Sequence, residues 1–326
     1  MGYGLTQETF ASISAYANNP DSRLNWPFVF VLPAWLRAWW QEFGSGNELY
    51  LTSARQGEQV IGIAPLLVKD GEASFIGSPD ICDYLDFIIA PNRESDFFAA
   101  LLDNLKQQGI KHLDLKSLRP DSTVLTHLVP LAKSLNYAVH FRQEDVSLEL
   151  DLPASWEEYL ALLGKKQRHE IRRKLRRLWG EGDLNYCCVE AGAEVDEYMS
   201  SFLKFFALSR GEKADFMTGS MESFFRSMAR AMAELGLLRF GIVGLGKVPA
   251  AITMCFDYGD TMYLYNSAYD PEHNSLSVGL LSKVLGIKDS IQQGRKRWDF
   301  LKGSEAYKYH IGGREIPLYN CQIWLK

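Results

Sequence analysis

The chain has 326 residues, 47% of them hydrophobic, and a formal net charge of −5. That is enough apolar chain for two packed cores, and the 23% of charged and 13% of aromatic residues exclude extended disorder. The acidic balance argues against a DNA-binding protein, apolar runs such as Val60 to Val68 are too short to span a bilayer, and no secretory leader pattern opens the sequence, so a cytoplasmic enzyme is expected.

In chain order, Leu49 to Arg55 and Val60 to Val68 read as a hairpin across the turn Gln56, Gly57, Glu58. Ala73 to Gly77 follows as a third strand, then a polar loop and the apolar stretch Phe87 to Ala90. Phe97, Leu101, Leu102 and Leu105 recur at helical spacing, predicting a helix from about Ser95 to Gln108 that Gly109 ends before Leu113, Asp114, Leu115. The middle of the chain reads as helix over Trp156 to Leu163, Lys165 to Arg177, Val195 to Ser209 and Ser220 to Leu235.

The first pattern then recurs. Leu237 to Val243 and Val248 to Asp257 form a hairpin across Gly244 to Lys247, and Thr261 to Ser267 is the third strand. A helix from about Ser277 to Gln293 ends at Gly294, before Trp298, Asp299, Phe300. In both copies the closing glycine stands four residues before a hydrophobic, Asp, hydrophobic triplet. The expected fold class is α/β (α+β), a tandem duplication of one mixed-sheet unit with helices on both faces, divided as 1–150 and 151–326.

Four segments can carry chemistry. Lys165 to Arg177 sets eight cations against Glu170 alone, with Ile171, Leu175 and Leu178 on one stripe and Lys165, Arg168, Arg172 and Arg176 along one flank. Such a flank can clamp phosphate or carboxylate, or be a solvated face. Asp299, Lys302, Glu305, Tyr307 and Lys308 crowd a strand end, where they can supply a base, a proton donor and a cation for an oxyanion, or form a polar turn. Asp80, Asp83, Tyr84 and Asp86 can recognise an amine or hydroxyl, or serve as turns and caps. Ser277, Val278 and Gly279 open a helix whose free amides can hold a pyrophosphate. Tyr265 and Asn266, on the strand before that helix, are further substrate-binding candidates.

No dinucleotide fingerprint, phosphate loop or nucleophile elbow is present in the sequence. The five cysteines (Cys82, Cys187, Cys188, Cys255, Cys321) and six histidines are dispersed, so no metal is expected.

Together the KKQRHEIRRKLRRL segment, the hairpin, the helix and the WDFLKGSEAYK segment resemble the BioF2-like acetyltransferases of the GNAT superfamily, a group that includes CelD-like proteins of cellulose biosynthesis. They are also similar, more distantly, to the Fem peptidyltransferases. The resemblance covers roughly residues 20 to 322 and implies tandem GNAT-like domains, an acyl-CoA donor such as acetyl-CoA, and direct attack by an amine or hydroxyl of a sugar, polysaccharide precursor or amino compound. It implies Asp299 or Glu305 as the base, Lys308 beside the oxyanion and Tyr307 as the acid for the leaving thiolate. The donor side then falls on the second unit, with Lys165, Arg168, Arg172 and Ser277 to Gly279. The acceptor side falls on the first, with Asp83, Tyr84 and Asp86. The family's pyrophosphate pattern is represented only by Glu272 to Gly279. Fem similarity implies aminoacyl-tRNA as the alternative donor. A third reading, a non-catalytic binding module of exopolysaccharide assembly, expects Asp299 and Lys308 in structural salt bridges.

Overall fold

A computed structural model of the protein describes residues 3–180, 184–190, 192, 194–208, 216–246 and 248–325; Ser209 and Lys247, at the edges of an expected helix and turn, lie outside them. The chain forms two compact units, Met1–Val146 with Ile316–Lys326 (unit 1) and Ser147–Glu315 (unit 2). Both are mixed α/β.

Unit 1 opens with strand β1 (Gly4–Gln7) and helices α1 (Phe10–Ala17) and α2 (Pro33–Phe43). Thr9 and Ser12 form a reciprocal capping box at the start of α1. Strands β2 (Glu48–Gln56) and β3 (Gln59–Lys69) make the first expected hairpin, followed by β4 (Glu72–Phe75) and a two-residue strand β5 (Ile88–Ile89) on β3. Helix α3 (Glu94–Gln107) buries Phe97, Phe98, Leu101, Leu102 and Leu105, each contributing about 1.5–3 kcal/mol of apolar burial. It reaches the sheet closely enough that a Cβ at Gly62 would lie 2.4 Å from the Phe97 ring. Strand β6 (His112–Leu118) then runs parallel to β4, and a helical turn at Val124–Leu128 leads into α4 (Val129–Ser134) and β7 (Ala138–Asp151).

In unit 2, α5 (Trp156–Leu162) and the basic α6 (Lys165–Trp179) precede β8 (Leu184–Glu190), α7 (Val195–Ala207) and α8 (Gly219–Glu234). Strands β9 (Leu238–Leu245) and β10 (Val248–Tyr258) are the second hairpin, and β11 (Thr261–Tyr269) extends it. A turn at Pro271–Leu276 enters helix α9 (Val278–Gln292), which leads to β12 (Arg297–Lys302) and the short α10 (Ala306–His310). Helix α7 packs on β10 and β11, α9 packs on β8 to β11, and α6 lies against α9 and the turn before it. Gly286 lets α9 approach the sheet, since a Cβ there would meet the Trp298 indole at 2.6 Å.

The duplication extends to register. In unit 1 the parallel pair matches Glu72, Ala73 and Ser74 with His112, Leu113 and Asp114; in unit 2 it matches Thr261, Met262 and Tyr263 with Arg297, Trp298 and Asp299. The two Asp triplets thus occupy the same place in the two ladders. In each unit the strand beside the Asp triplet comes from far along the chain. The last strand, β13 (Arg314–Trp324), pairs with β6 in unit 1, and the end of β7 pairs with β12 in unit 2.

Candidate active site

Strand β11 is paired with β12 only over Thr261–Tyr263, although it runs on to Tyr269. A register shift against β10 at Met254/Cys255 falls opposite Tyr265, which bends β11 as bulges do. Where the two strands part, a cavity of about 860 Å³ opens, within the range of small-molecule sites. Its wall is built from the end of β11 (Ser267, Tyr269), the turn and start of α9 (Asn274, Ser277, Gly279), Lys174, Lys283, Glu305 and Tyr307.

One end of this cavity favours anions. Ser277 takes a left-handed conformation, φ +58°, and α9 starts behind it with no side-chain cap and no acid in its first turn. The first amides and the positive end of the helix dipole are therefore available to a ligand. Tyr269 lies over Gly279, where a Cβ would meet the ring at 2.7 Å. Lys283, buried at 6% exposure, donates from Nζ to the Gly279 carbonyl at 2.7 Å and sits 5.2 Å from the centre of the Tyr307 ring. Lys174, 3.6 Å from Glu170, supplies a second ammonium from α6.

The other end carries groups suited to proton transfer. The Glu305 side chain is 56% exposed and lies 2.9 Å from the Lys308 ammonium. Burial, reinforced by the nearby Glu305 charge, raises the Tyr307 phenol above its ordinary range, so it stays protonated and can donate. Lys308 itself is 2% exposed, with Nζ donating to the carbonyls of Leu301 (3.2 Å), Lys302 (2.6 Å) and Gly303 (3.1 Å). Its charge ties down the end of β12, where Leu301 is held at φ +59°, and the loop that follows. Asp299 is likewise buried and accepts the Leu301 N–H at 2.8 Å, bracing the same bulge.

The structure brings Ser277, Gly279, Glu305 and Tyr307 into one cavity, with Val278 buried beneath it. On α6, Arg168 is half-buried and Lys165 and Arg172 are exposed. Tyr265 packs between Phe225 and Phe256, Asn266 Oδ1 accepts the Ser267 N–H at 2.8 Å, and Lys302 lends its carbonyl to Lys308. Tyr84 is fully buried in unit 1, its ring against Phe28 and Phe30, and Asp86 is 2% exposed. Asp86 accepts from the Thr123 N–H (2.7 Å), the Thr123 hydroxyl (2.6 Å) and the Phe87 N–H, so it braces the start of the 124–128 turn, and desolvation raises its pKa to about 6. Asp83, in the loop before it, is half-buried.

Sequence reasoning missed Lys174 and Lys283. Lys174 stands three residues after Ile171 and four before Leu178, so it is a cation set in the buried stripe of its helix. Lys283 stands four residues after Gly279 in a helix buried along most of its length. A lysine at an apolar position was the available signal.

Residues 165–309 match the family described as the acetyltransferase (GNAT) domain. That range runs from the first residue of α6 into α10 and contains every residue of the cavity wall. The chain therefore carries a GNAT acetyltransferase domain, and the protein is an acyltransferase. No curated protein matches the sequence. Among solved structures, FemX is similar with a TM-score of 0.62 and 12% identity, over 97% of this chain and 96% of that one. A conserved protein of unknown function from Bacteroides thetaiotaomicron gives 0.59 and 12%, over 99% and 100%. L-PGS from Bacillus licheniformis gives 0.55 and 10%, over 89% and 90%. At these identities the likeness is one of fold. Among the described residues no helix is long and apolar enough to cross a membrane, and no group of three His, Cys, Asp or Glu side chains could hold a metal.

Proposed function

We propose that the protein is a BioF2-like acyltransferase that moves an acyl group, acetyl in the simplest case, from acyl-CoA to an amine or hydroxyl of a sugar, polysaccharide precursor or amino compound. The observation that carries this reading is the cavity, where an uncapped helix start and a lysine from the basic helix meet a carboxylate and a buried phenol. The amides of Val278 and Gly279 and the Lys174 ammonium take the diphosphate, with Arg168 and Arg172 of the same helix on its approach. Glu305 removes the proton of the attacking amine or hydroxyl, directly or through water. Tyr307 returns a proton to the thiolate that leaves. Backbone N–H groups on β11 beyond Tyr263 polarise the thioester carbonyl. Lys308 and Asp299 hold the loop that presents Glu305 and Tyr307. In this scheme they act through position, not by touching the reacting atoms.

Calorimetric titration with acetyl-CoA tests the donor. Saturable binding to one site is expected, followed by release of free thiol when an acceptor such as glucosamine is added. An absence of binding at about millimolar acetyl-CoA would remove the reading. The exposed cations Lys165, Lys166, Arg172, Arg176 and Arg177 favour a second reading, in which aminoacyl-tRNA is the donor and α6 carries its phosphates. Salt-sensitive binding of aminoacyl-tRNA without binding of acetyl-CoA would select it.

A further inference from the structure

Unit 1 has a cavity of its own, about 290 Å³, lined by His140, Phe141 and Arg142 of β7 and Asn320 and Gln322 of β13. It borders a bulge in β6, where two residues, Lys116 and Ser117, stand opposite Asn320 alone. Ser117 takes φ +58° there, as Leu301 takes φ +59° beside the bulge in unit 2.

The duplication supplies an internal control. In unit 2 the residue opposite Asp299 is Glu149, and that strand also carries Asp151. Arg297 meets these carboxylates at 3.5 and 3.4 Å, and Arg314 meets them at 3.6 and 3.1 Å. In unit 1 the residue opposite the matching Asp114 is Gln322, and Tyr319–Trp324 carries no acid. The Arg142 side chain, on the cavity wall, makes no hydrogen bond or ion pair with any described residue. Asn320 is 7% exposed, and its Oδ1 has no hydrogen-bond partner. A buried amide oxygen without a donor is costly, and a guanidinium beside neutral amides lacks the carboxylate that its counterparts in unit 2 find internally.

We propose that this cavity binds a small hydroxy- or amino-carboxylic acid. Arg142 holds the carboxylate in its planar fork, and Asn320 Oδ1 accepts a hydrogen bond from the neighbouring hydroxyl or ammonium. Gln322, fixed by its hydrogen bond to Asp114 at 3.3 Å, forms the floor, and His140, edge-on to Trp324, forms the rim. The volume stands at the lower end of the range for small-molecule sites, which limits the ligand to a few carbons.

Ligand-observed NMR titration of the full chain with glycerate and with serine tests the site. Saturable binding of at least one is expected, weakened about tenfold or more by Arg142→Gln, an exposed position whose change leaves the unfolding midpoint unaltered. Propionate, which has the carboxylate but no donor, should bind about tenfold more weakly than glycerate, and Asn320→Leu should abolish that difference. The proposal is overturned if neither glycerate nor serine binds saturably below about 10 mM, or if Arg142→Gln leaves their binding unchanged.

Discussion

Helix α3 of unit 1 and helix α9 of unit 2 follow equivalent strands, precede equivalent Asp triplets and differ at their first turn. In α3 that turn carries Glu94 and Asp96; Asp96 pairs with Arg93 at 3.1 Å, and Glu94 accepts the Asn92 N–H at 3.3 Å. The chain's own carboxylates thus occupy the positive end of the dipole. In α9 the first turn has no acid and no cap, and two lysines approach it. The space beside the helices differs in the same sense. Phe87 of unit 1 packs against Phe75, Phe97 and Phe98, and Tyr84 against Phe28 and Phe30, filling the interior beside α3 with rings. Beside α9 the space is a cavity of about 860 Å³. Beside its helix start the first unit is thus closed by its own side chains, while the second keeps an open cavity there.

The comparison can be broken most sharply at the chemistry. Tyr307→Phe should lower kcat about 10²- to 10⁴-fold with the affinity for acetyl-CoA retained, read from steady-state kinetics and calorimetry. An unchanged kcat would remove Tyr307 as the acid. Lys308→Met strips the donor from three carbonyls and should cost about 2–4 kcal/mol in denaturant unfolding, with turnover falling alongside. Full stability with lost turnover would instead favour an oxyanion role for Lys308. Gly279→Val forces the Tyr269 ring from the helix start, and acetyl-CoA affinity should fall about tenfold to a hundredfold.

A smaller effect concerns the closed unit. Desolvation raises the pKa of Asp86 to about 6 in the fold, from 3.8. The folded state therefore holds the extra proton between these values, and stability falls as pH rises from about 4 to about 6 and is level above. Thermal melts of Asp86→Asn should show its stability relative to the parent improving over that interval. Smallest of all, Glu94→Gln with Asp96→Asn should cost about 0.3–1 kcal/mol per charge and leave acetyl-CoA binding unaltered. A gain of acetyl-CoA binding in unit 1 from those two changes would mean that charge alone closed it.

The repeat was legible because its strands alternate, its helices keep a 3.6-residue stripe, and Gly109 and Gly294 end those helices at the same distance from an Asp triplet. Helices α3 and α9 lie within a residue of the expected ends. Helices α1 and α2 and strand β13 were not anticipated. These two pairings were beyond reading, because β7 and β13 find their partners at long range, through Ser147–Asp151 on β12 and Tyr319–Trp324 on β6. In the candidate site, residue type showed that Glu305 and Tyr307 could work together. It left open whether Lys308 would touch substrate or hold its own loop, and gave no sign that Tyr84 would lie in the core, since both depend on which way a loop folds back.

Hydrogen–deuterium exchange of the full chain, with and without saturating acetyl-CoA, tests the central claim that the donor is held by the second copy alone. Protection is expected across Ser267 to Lys283 and at Glu305 to Tyr307, with none across the matching stretch from Asp83 to Phe97. Protection at the start of α3, or none at the start of α9 under conditions where acetyl-CoA binds, would contradict it.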